Sequence, residues 1–408
     1  MTLDKNAESF PSTVGDRNAG AALSWRAMAP VFFLTLLFFL NFTARILLAP
    51  FLPTIERELG ISHSGAGFFF FLVSAGYLIA LVGSGFLSAR LTHRRTITFS
   101  CASLGIVLLA ICSADSVWAI RAGLVCLGLA TGLYMPSAIA TITSSVGPGH
   151  WGKAIAIHET APTLAFIAAP LAADLFLRWS SWRAALGLLG GISVVVAVVF
   201  HRYGKGGEFF GDAPSFTALR ALLRQPATWL IALLFGLGVS STLGIFSMLP
   251  LYLVSERQME QSWVNTLVAL SRISGPFMAL LAGWASDSFG PRRMIVGSFL
   301  LTGLATLLLG PSPTSWLVPV VFLQPALAVC FFPAGFAALS AIAPARSRNV
   351  AVSFTVPVGF LLGGGAIPVF VGVMGDAGSF GLGFTWVGAL ILAGAVLALF
   401  LRLPDRRS

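Results

Sequence analysis

Charge is scarce in this chain. Only 10% of its 408 residues are Asp, Glu, Lys or Arg, and 57% are hydrophobic; a soluble domain carries about 25% charged residues. That shortage excludes an ordinary water-soluble fold. Acids are the scarcer sign, 15 against 25 Lys and Arg. Cysteine is nearly absent: Cys101, Cys112, Cys126 and Cys330 lie in apolar stretches without a CxxC spacing. They read as reduced packing residues, which excludes a disulfide framework. No Walker sequence, metal-ligand cluster or Ser-His-Asp pattern appears, and the Gly363-Gly364-Gly365 run lacks the strand-turn-helix setting of a nucleotide loop. The expectation is a protein that is not an enzyme and needs no metal or cofactor.

Long apolar runs are what the chain does have. A membrane-crossing helix needs roughly 20 apolar residues. Runs of that kind fall near 28–52, 65–88, 96–113, 117–145, 153–177, 183–201, 227–251, 263–285, 294–311, 315–342, 350–374 and 383–401. They predict an all-α membrane protein with twelve transmembrane helices and no room for a soluble catalytic domain. The net charge of +10 is distributed as a membrane protein's would be. With the N-terminus inside, about 18 of the 25 Lys and Arg fall on the inner side; about five, Arg57, Arg121, Arg178, Arg183 and Arg257, fall outside. The positive-inside rule then predicts a multi-pass protein of the cell inner membrane with both termini cytoplasmic. Charges scattered over many loops make no nucleic-acid stripe.

The two halves echo each other. Pro53 matches Pro250, Tyr134-Met135-Pro136 matches Phe331-Phe332-Pro333, and Lys153 with Pro162 matches Arg348 with Pro357, all at offsets of roughly 195–198. A polar, glycine-rich stretch separates them. The predicted organisation is a cytoplasmic tail (1–27), a six-helix bundle (28–201), a cytoplasmic linker (202–226), a second six-helix bundle (227–401) and a short tail (402–408). Repeats related about an axis along the membrane normal build two bundles around one central site. Prolines inside spans, among them Pro136, Pro162, Pro276 and Pro333, mark either gating kinks or ordinary membrane-helix prolines.

One repeated element sits between the second and third span of each half. The first copy runs from Gly85 through Ala89 to Arg94 and Arg95; the second runs from Gly283 through Asp287 and Gly290 to Arg292 and Arg293. The second copy resembles the loop signature of the major facilitator superfamily, and the first lacks its aspartate. The resemblance implies two pseudo-symmetric six-helix bundles that rock about a central site. It also implies gating roles for Gly85, Arg94, Arg95, Gly283, Asp287, Gly290, Arg292 and Arg293. Read from charge alone, the arginines set topology or face the anionic inner leaflet.

Ionisable groups inside the bilayer cost about 2.5–3.5 kcal/mol each on the lenient scale, so they mark function. Four stand out: Arg45 in the first span, His158 and Glu159 in the fifth, and Arg272 in the eighth. The segment from Asn41 to Ser62 is similar to the first span of anion:cation symporters, with Ala44 in place of their aspartate. Arg272 resembles the substrate-binding arginine of monocarboxylate transporters, with Val268 where they carry an aspartate. A histidine with two arginines resembles organophosphate:phosphate antiporters in part. Arg45 and Arg272 are expected to bind an anion, with structural ion pairs as the alternative. Glu159 or His158 is expected to carry a proton, with a network at the cytoplasmic helix ends as the alternative. Tyr77, Tyr134, Gln324 and Thr355 are uncharged candidates for lining the site.

The predicted function is secondary transport of a small organic anion, a carboxylate by preference, coupled to protons, by a monomer whose partners are the anion, the proton and the lipid bilayer. A proton-driven exporter of lipophilic compounds and an organophosphate:phosphate antiporter are the rival readings.

Overall fold

The structure is a computed structural model that describes residues 25–212, 220, 223–342, 348–401 and 403. Eleven helical segments are long and apolar enough to cross a membrane: α1 (Met28–Leu59), α2 (His63–Arg90), α3 (His93–Cys112), α4 (Val117–Ser145), α5 (Pro148–Trp179), α6 (Trp182–Tyr203), α7 (Pro226–Ser255), α8 (Gln261–Phe289), α10 (Thr314–Ile342), α11 (Phe354–Asp376) and α12 (Phe380–Ala398). The twelfth crossing is α9 (Pro291–Leu308), which opens on Arg292 and Arg293. Those two charges dilute its apolar average, yet it packs on α12 as α3 packs on α6. Large apolar side chains such as Ile79, Trp118, Phe277 and Leu280 stand exposed on the outer faces, where a bilayer would cover them.

Within the first bundle α2 packs on α4; within the second, α7 packs on α11. Lipid tails give helices no hydrophobic reason to associate, so close van der Waals approach has to hold them. Gly128 shows how close: a Cβ there would lie 2.1 Å from the Val73 carbonyl oxygen of α2. Between the bundles, α2 packs on α11 and α5 on α8. Gly372 of α11 sits against α2 so tightly that a Cβ would lie 2.4 Å from the His63 oxygen.

The hydrogen bonds that join the bundles gather at one end, beside the loop between α1 and α2. Asp376 accepts from the His63 and Ser64 amides at 2.8 and 3.1 Å, a carboxylate on the positive end of α2. Gln261 donates to the Pro50 carbonyl and accepts from Thr54, both at 3.1 Å. Arg178 donates to Ser262 at 3.0 Å. The molecule is therefore held closed where α1 meets α2.

The start of the linker folds back onto the first bundle. The Arg94 amide donates to Gly207 at 2.7 Å and Gly211 to Ser88 at 2.9 Å, with a single antiparallel bridge between Thr92 and Phe210. The Arg94 guanidinium bonds Glu208 and the His201 carbonyl. Residues 213–219, 221 and 222 of the linker lie outside the described residues, as do 1–24, 402 and 404–408 of the two tails.

Several crossing helices are interrupted, and proline explains where. A proline lacks the N–H for the residue four back and its ring crowds that residue's carbonyl. Pro50 frees the carbonyl of Ile46, where the first helical stretch of α1 ends; Pro162 frees that of His158, where α5 breaks; Pro276 frees that of Arg272, where α8 breaks. Pro136 and Pro333 mark the matching interruptions of α4 at Leu133 and of α10 at Val329–Cys330. Two further segments, Ser240–Gly244 in α7 and Phe360–Ala366 in α11, widen into π-helical turns, a distortion frequent at functional sites.

Candidate functional site

The four intramembrane ionisable residues sit at those interruptions. Arg45 lies in the last turn before the break in α1. Glu159 is the residue at the break in α5. Arg272 caps the first half of α8. Of the two readings of Pro276, the structure shows a break: the first half of α8 ends at Ser271 and the second begins at Gly275.

Both arginines reach across the bundle interface. Arg45, on the first bundle, is 6% exposed. Its Cζ lies 4.0 Å from the Tyr77 ring, 5.3 Å from Phe42 and 4.7 Å from Phe360 of the second bundle. Arg272, on the second bundle, is 7% exposed. Its Cζ lies 5.0 Å from Phe246 and 4.8 Å from Phe166 of the first bundle. Phe42 and Phe166 meet edge to face at 5.2 Å, and Phe166 meets Phe246 at 4.7 Å. A continuous aromatic wall thus connects the two guanidiniums. Among the described residues neither arginine forms an ion pair with an acid. Each has a buried Nε without a hydrogen-bond partner.

Magnitudes decide what this leaves. A desolvated cation–π contact contributes about 2 kcal/mol. Burying a lone cation costs several kcal/mol even after relaxation. Aromatic faces offset part of that cost and leave hydrogen-bonding capacity unused, which suits a site built for an anion.

His158 is fully buried in the first bundle. It stacks on Phe38 with ring centroids 4.5 Å apart, and its Nε2 is 3.1 Å from the Tyr134 hydroxyl. Its Nδ1 is 3.2 Å from Glu159. Tyr134 donates to the Leu34 carbonyl at 2.6 Å. Both rings belong to the wall's support within one bundle. The Glu159 side chain, 43% exposed, shares a face of α5 with Thr163 and Phe166. Thr163 lies against Gly275 of α8, and Phe166 covers Arg272. Glu159 therefore sits at the interface, about 10 Å along α5 from the level of Phe166.

Tyr77 is brought to the site as the platform under Arg45. Thr355 is buried with its hydroxyl unpartnered. Gln324 is turned into the second bundle, donating to the Ser241 carbonyl at 2.7 Å and to Thr306 at 3.1 Å. Of the loop residues, Arg292 donates to the Leu399 carbonyl, closing the end of α12. Arg95, Asp287 and Arg293 are exposed. Gly290 takes φ 86°, a turn that only glycine adopts freely. Gly85 is half-buried near the end of α2.

Sequence reasoning missed Asn265. It is fully buried, with both amide atoms unpartnered, four residues after Gln261 and seven before Arg272. That spacing keeps it on the α8 face from which Gln261 reaches the first bundle.

The sequence profile of the Major Facilitator Superfamily matches residues 34–284 and 258–408. The chain belongs to this superfamily. It is a transport protein, not an enzyme. A probable sulfoacetate transporter, SauU, from Cupriavidus necator is 23% identical over 399 residues, covering 90% of this chain and 91% of that protein. Among solved structures, a bacterial homologue of the human lysosomal transporter Spinster, inward-facing and unoccupied, superposes with a TM-score of 0.75 at 17% identity, over 93% of this chain and 96% of that one. The nucleoside transporter NupG, solved as a point mutant, gives 0.75 at 14% identity, over 91% and 99%. These likenesses establish the major facilitator fold.

Proposed function

We propose that this superfamily member carries a small organic anion by alternating access, with Arg45 and Arg272 as its anion contacts and a proton as the coupling ion. The observation that supports this is the pair of buried guanidiniums, one from each bundle, that no described acid neutralises. Charge-assisted hydrogen bonds from arginine to a carboxylate or sulfonate are strong and directional. A cationic cargo would be repelled by the same pair. The likeness to a probable sulfoacetate transporter points to the same class of cargo.

In this reading the end closed by Asp376 and Gln261 faces outward and the signature-loop end faces the cytoplasm, where the excess of basic loops belongs in the inner membrane. Closing the cytoplasmic end brings α8 towards α5. Glu159 would then approach the field of Arg272, where its ionised form competes with the anion. Protonating Glu159 removes that competition, so anion and proton travel together.

Proteoliposome uptake tests the reading. Arg272→Gln is expected to abolish inward-gradient uptake of sulfoacetate and short carboxylates, while Arg272→Lys retains part of it. Wild-type uptake rates in the glutamine variant would end the proposal.

A further inference from the structure

We infer that the transported anion carries two acid groups and that the arginines grip both at once. This rests on the anion reading above and adds the charge and shape of the cargo. Two cations held by opposite bundles need two negative charges. A single monoanion leaves one buried guanidinium uncompensated in a desolvated setting. Glu159, the acid on the same α5 face as Phe166, lies 3.2 Å from His158 and forms no ion pair with either arginine.

Geometry adds a shape requirement. Phe42 lies beneath Arg45 and Phe166 beneath Arg272, and the two rings touch edge to face. The guanidiniums are therefore separated by a two-ring apolar spacer. Each keeps an unpartnered Nε. A ligand that fits has an acid at each end and a short apolar chain between, which lies along the Phe42–Phe166 edge. One bound molecule then ties the first bundle to the second through both ends, so loading itself favours bundle closure. A monoacid engages one bundle and leaves the other charge bare.

The test is equilibrium calorimetry on the full-length protein in lipid nanodiscs, with length-matched pairs: butyrate against succinate, hexanoate against adipate. A charged hydrogen-bonded contact is worth about tenfold or more in affinity. At least one diacid is expected to bind about tenfold or more tightly than its matched monoacid, with one molecule per protein. In Arg272→Gln that ratio falls to near one; in Arg272→Lys, which keeps the charge, a preference for the diacid remains. Equal affinity for monoacid and diacid in the wild type overturns the two-acid inference and leaves the anion reading standing. Two monoacids bound per protein overturn it too, as does a glutamine variant that keeps the full preference. If no acid binds at all, the anion reading falls as well.

Discussion

A guanidinium wedged between aromatic rings without an acid is a poor device for stability. Removing it takes away a desolvation cost, so Arg45→Gln and Arg272→Gln are expected to unfold at temperatures no lower than the wild type while transport is lost. A thermal-denaturation series in detergent, run beside the uptake assay, checks that split; a fall in melting temperature for both variants would show that the charges serve the fold instead. Asn265 poses the same question with a neutral group. A buried amide with neither atom bonded costs about 1–3 kcal/mol. Asn265→Leu should therefore hold or raise stability, yet lower transport on the order of tenfold if the amide meets substrate on its way through the closed end. The charged residues were legible in the sequence because charge is rare here. Their aromatic partners were not, since 34 phenylalanines look alike until packing selects Phe42, Phe166, Phe246 and Phe360. Gln324 and Tyr134 illustrate the opposite limit: polarity within a span suggested lining, and short bonds to Ser241, Thr306 and Leu34 account for them within one bundle.

At the scale of the element, proline position carries the site. The rule that proline frees the carbonyl four residues back turns Pro162 and Pro276 into marks for His158–Glu159 and Arg272. The prolines were visible in the sequence; their coincidence with charge emerged once the breaks were located. Pro276→Ala should heal α8 across Arg272, since an interior proline disfavours helix by about 3 kcal/mol. The guanidinium would then turn with the mended helix. Transport is expected to drop about tenfold at unchanged expression, and full activity would separate the break from the function. The ninth crossing shows why composition alone undercounts: α9 opens on two arginines that its loop signature requires, and its packing on α12 makes it a span.

For the molecule as a whole, the contacts that close the α1–α2 end set one side of a conformational balance. The duplication was readable as matched anchors about 195–198 residues apart, but which end closes depends on contacts such as Gly372 against His63 that single-chain patterns do not encode. Gly372→Val places carbon atoms where the His63 oxygen sits. It should shift the population towards the state open at the α1–α2 end. Electron-spin distance measurements between labels on α2 and α11 near that end would lengthen; an unchanged distribution would mean that the helices accommodate the side chain without parting. Asp376→Asn, which weakens the cap on α2, should move the balance the same way by a smaller amount.

Arg45 and Arg272, without an acid partner among the described residues, are proposed to receive a negatively charged solute. The most direct measurement is equilibrium binding of organic acids to the purified wild type and to the Arg45→Gln, Arg272→Gln double variant. Saturable binding is expected for the wild type and a loss of about 100-fold or more for the double variant; binding that persists unchanged without both guanidiniums would contradict an anion role for the pair.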